Sequence, residues 1–169
     1  WILNGENSRF FYQEVEARFL VRAGSRSLES DVAYTRYLAQ GAYQYERGHH
    51  HAVASGMLGR ITGAAAPLFE RFTIGDTRML RGWNKYDVAP AGGSRLVYAS
   101  VEYRYSGVGV FLDLGNVWDE TNGGRLRAST GLVLHAGPAF ASVGFPLNAN
   151  NVTAIFSMGV RVPETKLRW

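Results

Sequence analysis

Residues 95–118 read Arg95-Leu96-Val97-Tyr98-Ala99-Ser100-Val101-Glu102-Tyr103-Arg104-Tyr105-Ser106-Gly107-Val108-Gly109-Val110-Phe111-Leu112-Asp113-Leu114-Gly115-Asn116-Val117-Trp118. Val97, Ala99, Val101, Tyr103 and Tyr105 alternate with Ser100, Glu102 and Arg104, which is the period of two of a β-strand with two unlike faces. After the minimal connection Ser106-Gly107 the alternation resumes, with Val110, Leu112 and Leu114 opposite Phe111, Asp113 and Gly115. Each strand therefore carries one mid-strand carboxylate, Glu102 or Asp113. A charge there is costly unless solvated or paired. The long connection upstream, residues 64–93, supplies a cation on a tether, Arg81.

The same period extends in both directions and gives eight candidate strands, at about residues 9–23, 30–46, 50–63, 95–105, 108–118, 125–136, 138–147 and 152–162. In the first, Phe11, Val15, Ala17, Phe19 and Val21 oppose Tyr12, Glu14, Glu16, Arg18 and Arg22. The second sets Tyr37, Ala39, Tyr43 and Tyr45 against Arg36, Gln40 and Gln44. The third alternates less cleanly, with Val53, Met57 and Ile61 against Arg60 and Thr62. The last sets Ala154, Phe156, Met158 and Val160 against Ser157, Gly159 and Arg161.

The 169 residues are 46% hydrophobic and 19% charged, which excludes a disordered chain. With 20 Gly, 13% aromatic residues and 5 Pro, the composition suits many strands joined by tight turns, and the fold class is all-β. No apolar run is long enough for a spanning helix, so a membrane role falls to strands. Cysteine is absent, which removes disulfide and thiol chemistry. The net charge of +4 comes from basic residues spread along the chain, and no basic helix or RNA-binding motif accompanies it, so nucleic acid is not an expected partner. The opening Trp1-Ile2-Leu3-Asn4-Gly5-Glu6-Asn7 lacks the basic start, apolar core and cleavage site of a signal peptide. An exported protein would have its true N-terminus upstream.

Alternating strands fit either a soluble sandwich with an apolar inside or a membrane barrel with an apolar outside. Connection lengths separate the two. Residues 24–29, 64–93, 119–124 and 148–151 form medium or long links, and 47–49, 106–107 and 137 form short ones, in strict alternation. Long loops at one end and tight turns at the other mark an up-and-down outer-membrane barrel. Tyr43, Tyr45, Tyr103, Tyr105, Trp118 and Phe145, near strand ends, suit interfacial girdles.

The loop contains Phe72-Thr73-Ile74-Gly75-Asp76-Thr77-Arg78-Met79-Leu80-Arg81-Gly82-Trp83-Asn84-Lys85-Tyr86-Asp87. With the two acid-bearing strands, it resembles the C-terminal barrel half of the BamA/TamA superfamily, also called the bacterial surface antigen family. The resemblance spans about residues 30–162. It implies an antiparallel transmembrane barrel of sixteen strands, eight of them in this chain, whose sixth extracellular loop folds into the lumen. In those terms Arg81 is the inserted arginine, Gly82 gives backbone freedom at the loop tip, and Glu102 and Asp113 are the wall partners. Ile74, Gly75, Asp76, Leu80 and Trp83 form the rest of the loop motif. Ile74-Gly75-Asp76 stands where a Gly-Gly pair is common, and Leu80 where Val is frequent. Arg81 pinned to the wall is expected to order the loop.

The implied function is insertion or translocation of polypeptides at the bacterial outer membrane. The last strand, with Phe156, Gly159 and Val160, is the expected seam at which clients pair. Expected partners are outer-membrane lipids and lipopolysaccharide, polypeptide clients, and further barrel strands from an N-terminal half or another chain. The rival readings are a barrel anchor or small-solute channel serving an upstream enzyme or binding domain, and a soluble β-sandwich binding module. An eight-stranded barrel closed on itself leaves little room for a 30-residue loop. His49, His50 and His51 alternate faces and lack a further ligand at suitable spacing, and no Gly-x-Ser-x-Gly elbow is present. No metal, no cofactor and no enzymatic activity are expected.

Overall fold

The computed structural model describes residues 2–6, 11–24, 33–63, 66–119, 124–149 and 153–160. These form one sheet of nine antiparallel strands in sequential order: β1 Ile2–Glu6, β2 Phe11–Gly24, β3 Tyr34–Arg47, β4 His50–Gly63, β5 Arg95–Tyr105, β6 Val108–Trp118, β7 Arg127–Ala136, β8 Ala139–Pro146 and β9 Ile155–Val160. Eight strands were expected, and the structure adds β1, which pairs Ile2 with Glu16 through Glu6 with Tyr12. Its residues show no alternation of their own, and only pairing with β2 makes them a strand. Parts of the expected segments, at residues 9–10, 25–32, 64–65, 120–123, 150–152 and 161–162, lie outside the described residues. Among the described residues no second sheet faces the first, which removes the sandwich. Nor do the edges β1 and β9 pair with each other, so the nine strands do not close into a barrel by themselves.

Tight turns link β3 to β4, β5 to β6 and β7 to β8, all at one end. Ser106 and Gly107 have φ of 48° and 88°, the primed geometry whose twist matches paired strands. Pro138, expected to open a strand, sits instead in the turn after Gly137, where its missing N–H costs no ladder hydrogen bond.

The two faces differ as the period of two requires. The outer face exposes Phe19, Tyr43, Leu58, Val101, Tyr103, Val110, Leu112, Leu132, Phe156 and Met158. So broad an apolar surface is foreign to a water-soluble monomer and suits lipid. The inner face carries the loop, with a 3-10 turn at Leu68–Glu70 and a short helix α1 at Lys85–Val88. Here the core forms. Phe72, Ile74, Leu80 and Val88 of the loop pack on Leu38, Ile61, Leu96, Tyr98 and Val117 of the strands. This layer explains the irregular third strand: Ile61 and Met57 point inward because the loop covers them, and Leu58 points outward. No described helix is long and apolar enough to cross a membrane.

If the outer face meets lipid, an arginine there should be far more costly than one inside. Leu112→Arg is expected to cost about 2–4 kcal/mol and Gln40→Arg close to nothing, measured by urea unfolding of the full-length protein in lipid vesicles.

Candidate functional site

The loop reaches the wall through a compact turn. Asp76 Oδ1 accepts hydrogen bonds from the N–H groups of Arg78 (2.7 Å) and Met79 (2.9 Å), while Gly75 and Asp76 N–H donate to the Met79 carbonyl. Gly75 has φ of 99°, and a Cβ there would lie 2.8 Å from the Lys85 nitrogen, so the position requires glycine on both counts. The turn delivers Leu80, fully buried at φ 55°, into the apolar layer. A left-handed leucine costs about 1–3 kcal/mol and persists only where its surroundings hold it.

The next residue is Arg81. Its backbone N–H and Nε both donate to Asp113 Oδ2, at 2.9 and 3.0 Å, and Nη2 donates to Asp113 Oδ1 at 2.9 Å. Nη1 donates to Glu102 Oε2, and Nη2 also reaches Ser100 Oγ at 3.3 Å. Ser100 Oγ in turn donates to Asp113 Oδ1 at 2.7 Å. Asp113, with no exposed surface, thus accepts four hydrogen bonds, which is how a carboxylate tolerates burial. The guanidinium also lies 3.6 Å above the centre of the Phe111 ring, a favourable stack for a desolvated cation. Glu102 Oε1 faces Arg104 Nε at 3.2 Å and His135 Nε2 at 3.8 Å. Two acids therefore meet two guanidinium groups, and the cluster is close to charge-balanced without His135.

The structure brings Arg81, Glu102 and Asp113 together and adds Ser100, Arg104 and Phe111. All three lie on the inner parity of β5 or β6, so the strand pattern held that signal. Gly82 has a different role from the expected one. Its φ is not positive, and backbone freedom is not what it supplies. A Cβ there would lie 2.6 Å from Ser129 Cβ and 2.8 Å from the Phe145 carbonyl carbon. On the opposite side a Cβ on Gly144 would meet the Arg81 carbonyl oxygen at 2.6 Å. The two glycines let the Arg81-Gly82 peptide lie flat on β7 and β8. Trp83 extends the contact, its Nε1 donating to the Ala128 carbonyl at 3.0 Å beneath the Arg127 guanidinium.

Two further anchors escaped the sequence pattern. Glu70, 5% exposed, accepts from Arg22 of β2 at 2.7 Å and lies 3.9 Å from Arg36 of β3. At the loop's far end Phe72 and Gly93 exchange both backbone hydrogen bonds, while Arg71 pairs with Asp119, which also accepts from the Ser94 N–H at 3.0 Å. The partners are dozens of residues apart, and periodicity carries no register between strands. Gly159 of the expected seam lies under a ring: a Cβ there would lie 2.8 Å from Phe140. Phe156 and Val160 are exposed on the same edge strand.

No group of three or more His, Asp or Glu side chains able to hold a metal occurs among the described residues. His50 turns outward to Tyr103, and His51 pairs with Glu46.

A family model, the Omp85 superfamily domain, matches residues 8–155. The chain belongs to the Omp85 superfamily. The matched span runs from before β2 into β9 and contains the loop and both acid-bearing strands. A search of curated proteins finds no match. The superfamily is one of outer-membrane β-barrel proteins concerned in general with protein insertion or translocation, and the nine-stranded antiparallel sheet fits such a barrel.

Burial raises the Asp119 carboxyl, but hydrogen bonds from Arg71 and Ser94 outweigh it and hold the group below its ordinary range. A carboxylate lowered on folding stabilises above its unfolded pKa, and the contribution is lost as pH falls through the folded value. Asp119→Asn is therefore expected to destabilise the protein at neutral pH. The parent–variant difference should shrink below about pH 4 in pH-dependent thermal unfolding.

Proposed function

We propose that this chain is the C-terminal part of an outer-membrane barrel that inserts or translocates polypeptides, its inserted loop latched to the wall by Arg81 on Glu102 and Asp113. The remaining strands come from an N-terminal half or from another chain. What carries the reading is the Arg81 cluster: a buried, directional ion pair that fixes a long loop across the inner face is a means of occupying a lumen.

The open edge supports the client-handling half of the proposal. Among the described residues β9 pairs through Ile155–Val160 with Ala139–Gly144 of β8, and no strand pairs with its other side. An edge strand leaves N–H and C=O groups free, and an incoming polypeptide strand satisfies them by adding to the sheet. Clients then enter by backbone pairing, so side-chain sequence matters less than the ability to extend.

A photo-crosslinking residue at Ser157 of β9, with another at Tyr37 of β3 as control, tests this during assembly of a newly made outer-membrane barrel protein. Adducts at Ser157 and not at Tyr37 are expected. Adducts confined to positions away from β9 contradict the seam.

A further inference from the structure

At the tight-turn end, the outer face presents a small grid of side chains fixed by strand register. Tyr45, Ala52 and Tyr103 form one cross-strand row, and Arg47, His50 and Tyr105 form the next. With Gly48 and His49 they line an open cavity of about 630 Å³. His50 Nδ1 lies 2.6 Å from the Tyr103 hydroxyl, and its ring meets Tyr105 edge-on with centroids 5.0 Å apart. The His49 ring also lies beside Tyr105, with centroids 5.9 Å apart. Ala52 forms a low floor between two tyrosines.

Arg47 is the odd member. It shares the outward parity of Tyr43 and Tyr45, is exposed, and its side chain makes no hydrogen bond or ion pair with any described residue. Glu46, next to it in sequence, points to the inner face and pairs with His51. An arginine on the apolar face needs an anion, and nothing among the described residues supplies one. Tyrosines with an apolar body and a polar tip belong at headgroup level, so the missing anion is at hand in the leaflet itself. A guanidinium grips phosphate through a planar fork, and the imidazoles beside it offer further donors.

We propose that this grid is a headgroup site for a glycerophospholipid of the leaflet at the tight-turn end. Arg47 holds the phosphate diester, with His49 and His50 flanking it. One acyl chain runs down β4 over Ala52, Ala54 and Gly56, where the neighbours Gly41 and Ala99 are also small. Because the long loops lie at the opposite end, the site belongs to phospholipid and not to lipopolysaccharide. The inference rests on the outer face meeting lipid, and it does not depend on which polypeptides the barrel handles.

The test uses the full-length protein in detergent, with dioleoyl phosphatidylglycerol as probe and native mass spectrometry as readout. Heat-modifiable migration verifies that each variant keeps its fold. The parent is expected to retain lipid, and Arg47→Gln to retain it about fivefold less. Ala52→Trp fills the floor without touching the charge and is expected to lose lipid as well; it decides the matter if Arg47→Gln does not fold. Equal retention by the variants overturns the site, as does equal retention of dioleoylglycerol, which lacks the phosphate. Displacement by millimolar inorganic phosphate would show a free-anion site instead and overturns the lipid assignment. Loss of β9 crosslinks, in contrast, leaves this site standing.

Discussion

The guanidinium of Arg81, shared between Asp113 and Glu102, is the interaction on which the rest of the inner face depends. Asp113 is wholly buried and Arg81 nearly so. Removing either partner leaves an uncompensated charge, at a cost of about 3–5 kcal/mol. Lysine does not replace the arginine, because Asp113 is bound through Nε and Nη2 side by side while Nη1 serves Glu102. The backbone N–H of Arg81 also donates to Asp113, so the carboxylate fixes the chain path and not only the side chain.

From that point the loop acts as the hydrophobic layer that a single sheet lacks. Leu80 and Trp83 flank the arginine and cover Tyr98 and the β7 backbone. Ile74 and Phe72 continue toward the loop's base, and Glu70 closes it on Arg22 and Arg36. The anchors are opposite in sign: a loop cation on β5 and β6, and a loop anion on β2 and β3. The loop thereby spans from the N-proximal to the C-proximal strands. Outside, the same strands present apolar side chains, a division that a membrane barrel requires and a soluble protein penalises.

Much of this was legible in the chain. The period of two in residues 95–118 showed both strands and put both carboxylates on the inner face, because one face is lipid-like and the other polar. Register was not legible. Pairing of β2 with β3 sets Arg22 opposite Arg36 and the folded loop brings Glu70 to both, and β1 exists only because β2 is there to pair with. Gly82 misleads in isolation, since a glycine beside an inserted arginine suggests a flexible tip. Its reason is the approach of Ser129 and Phe145, which only the folded loop creates. The inward turn of Met57 and Ile61 was hidden likewise: apolar residues on the lumen side make sense only once the loop is known to cover them.

Limited trypsin digestion of the full-length protein, added from the long-loop side, tests the latch most directly. Arg81→Ala should make residues 66–93 cleavable while the strands stay protected, and Arg81→Lys should protect only partly. A loop that stays as resistant in Arg81→Ala as in the parent would contradict the account.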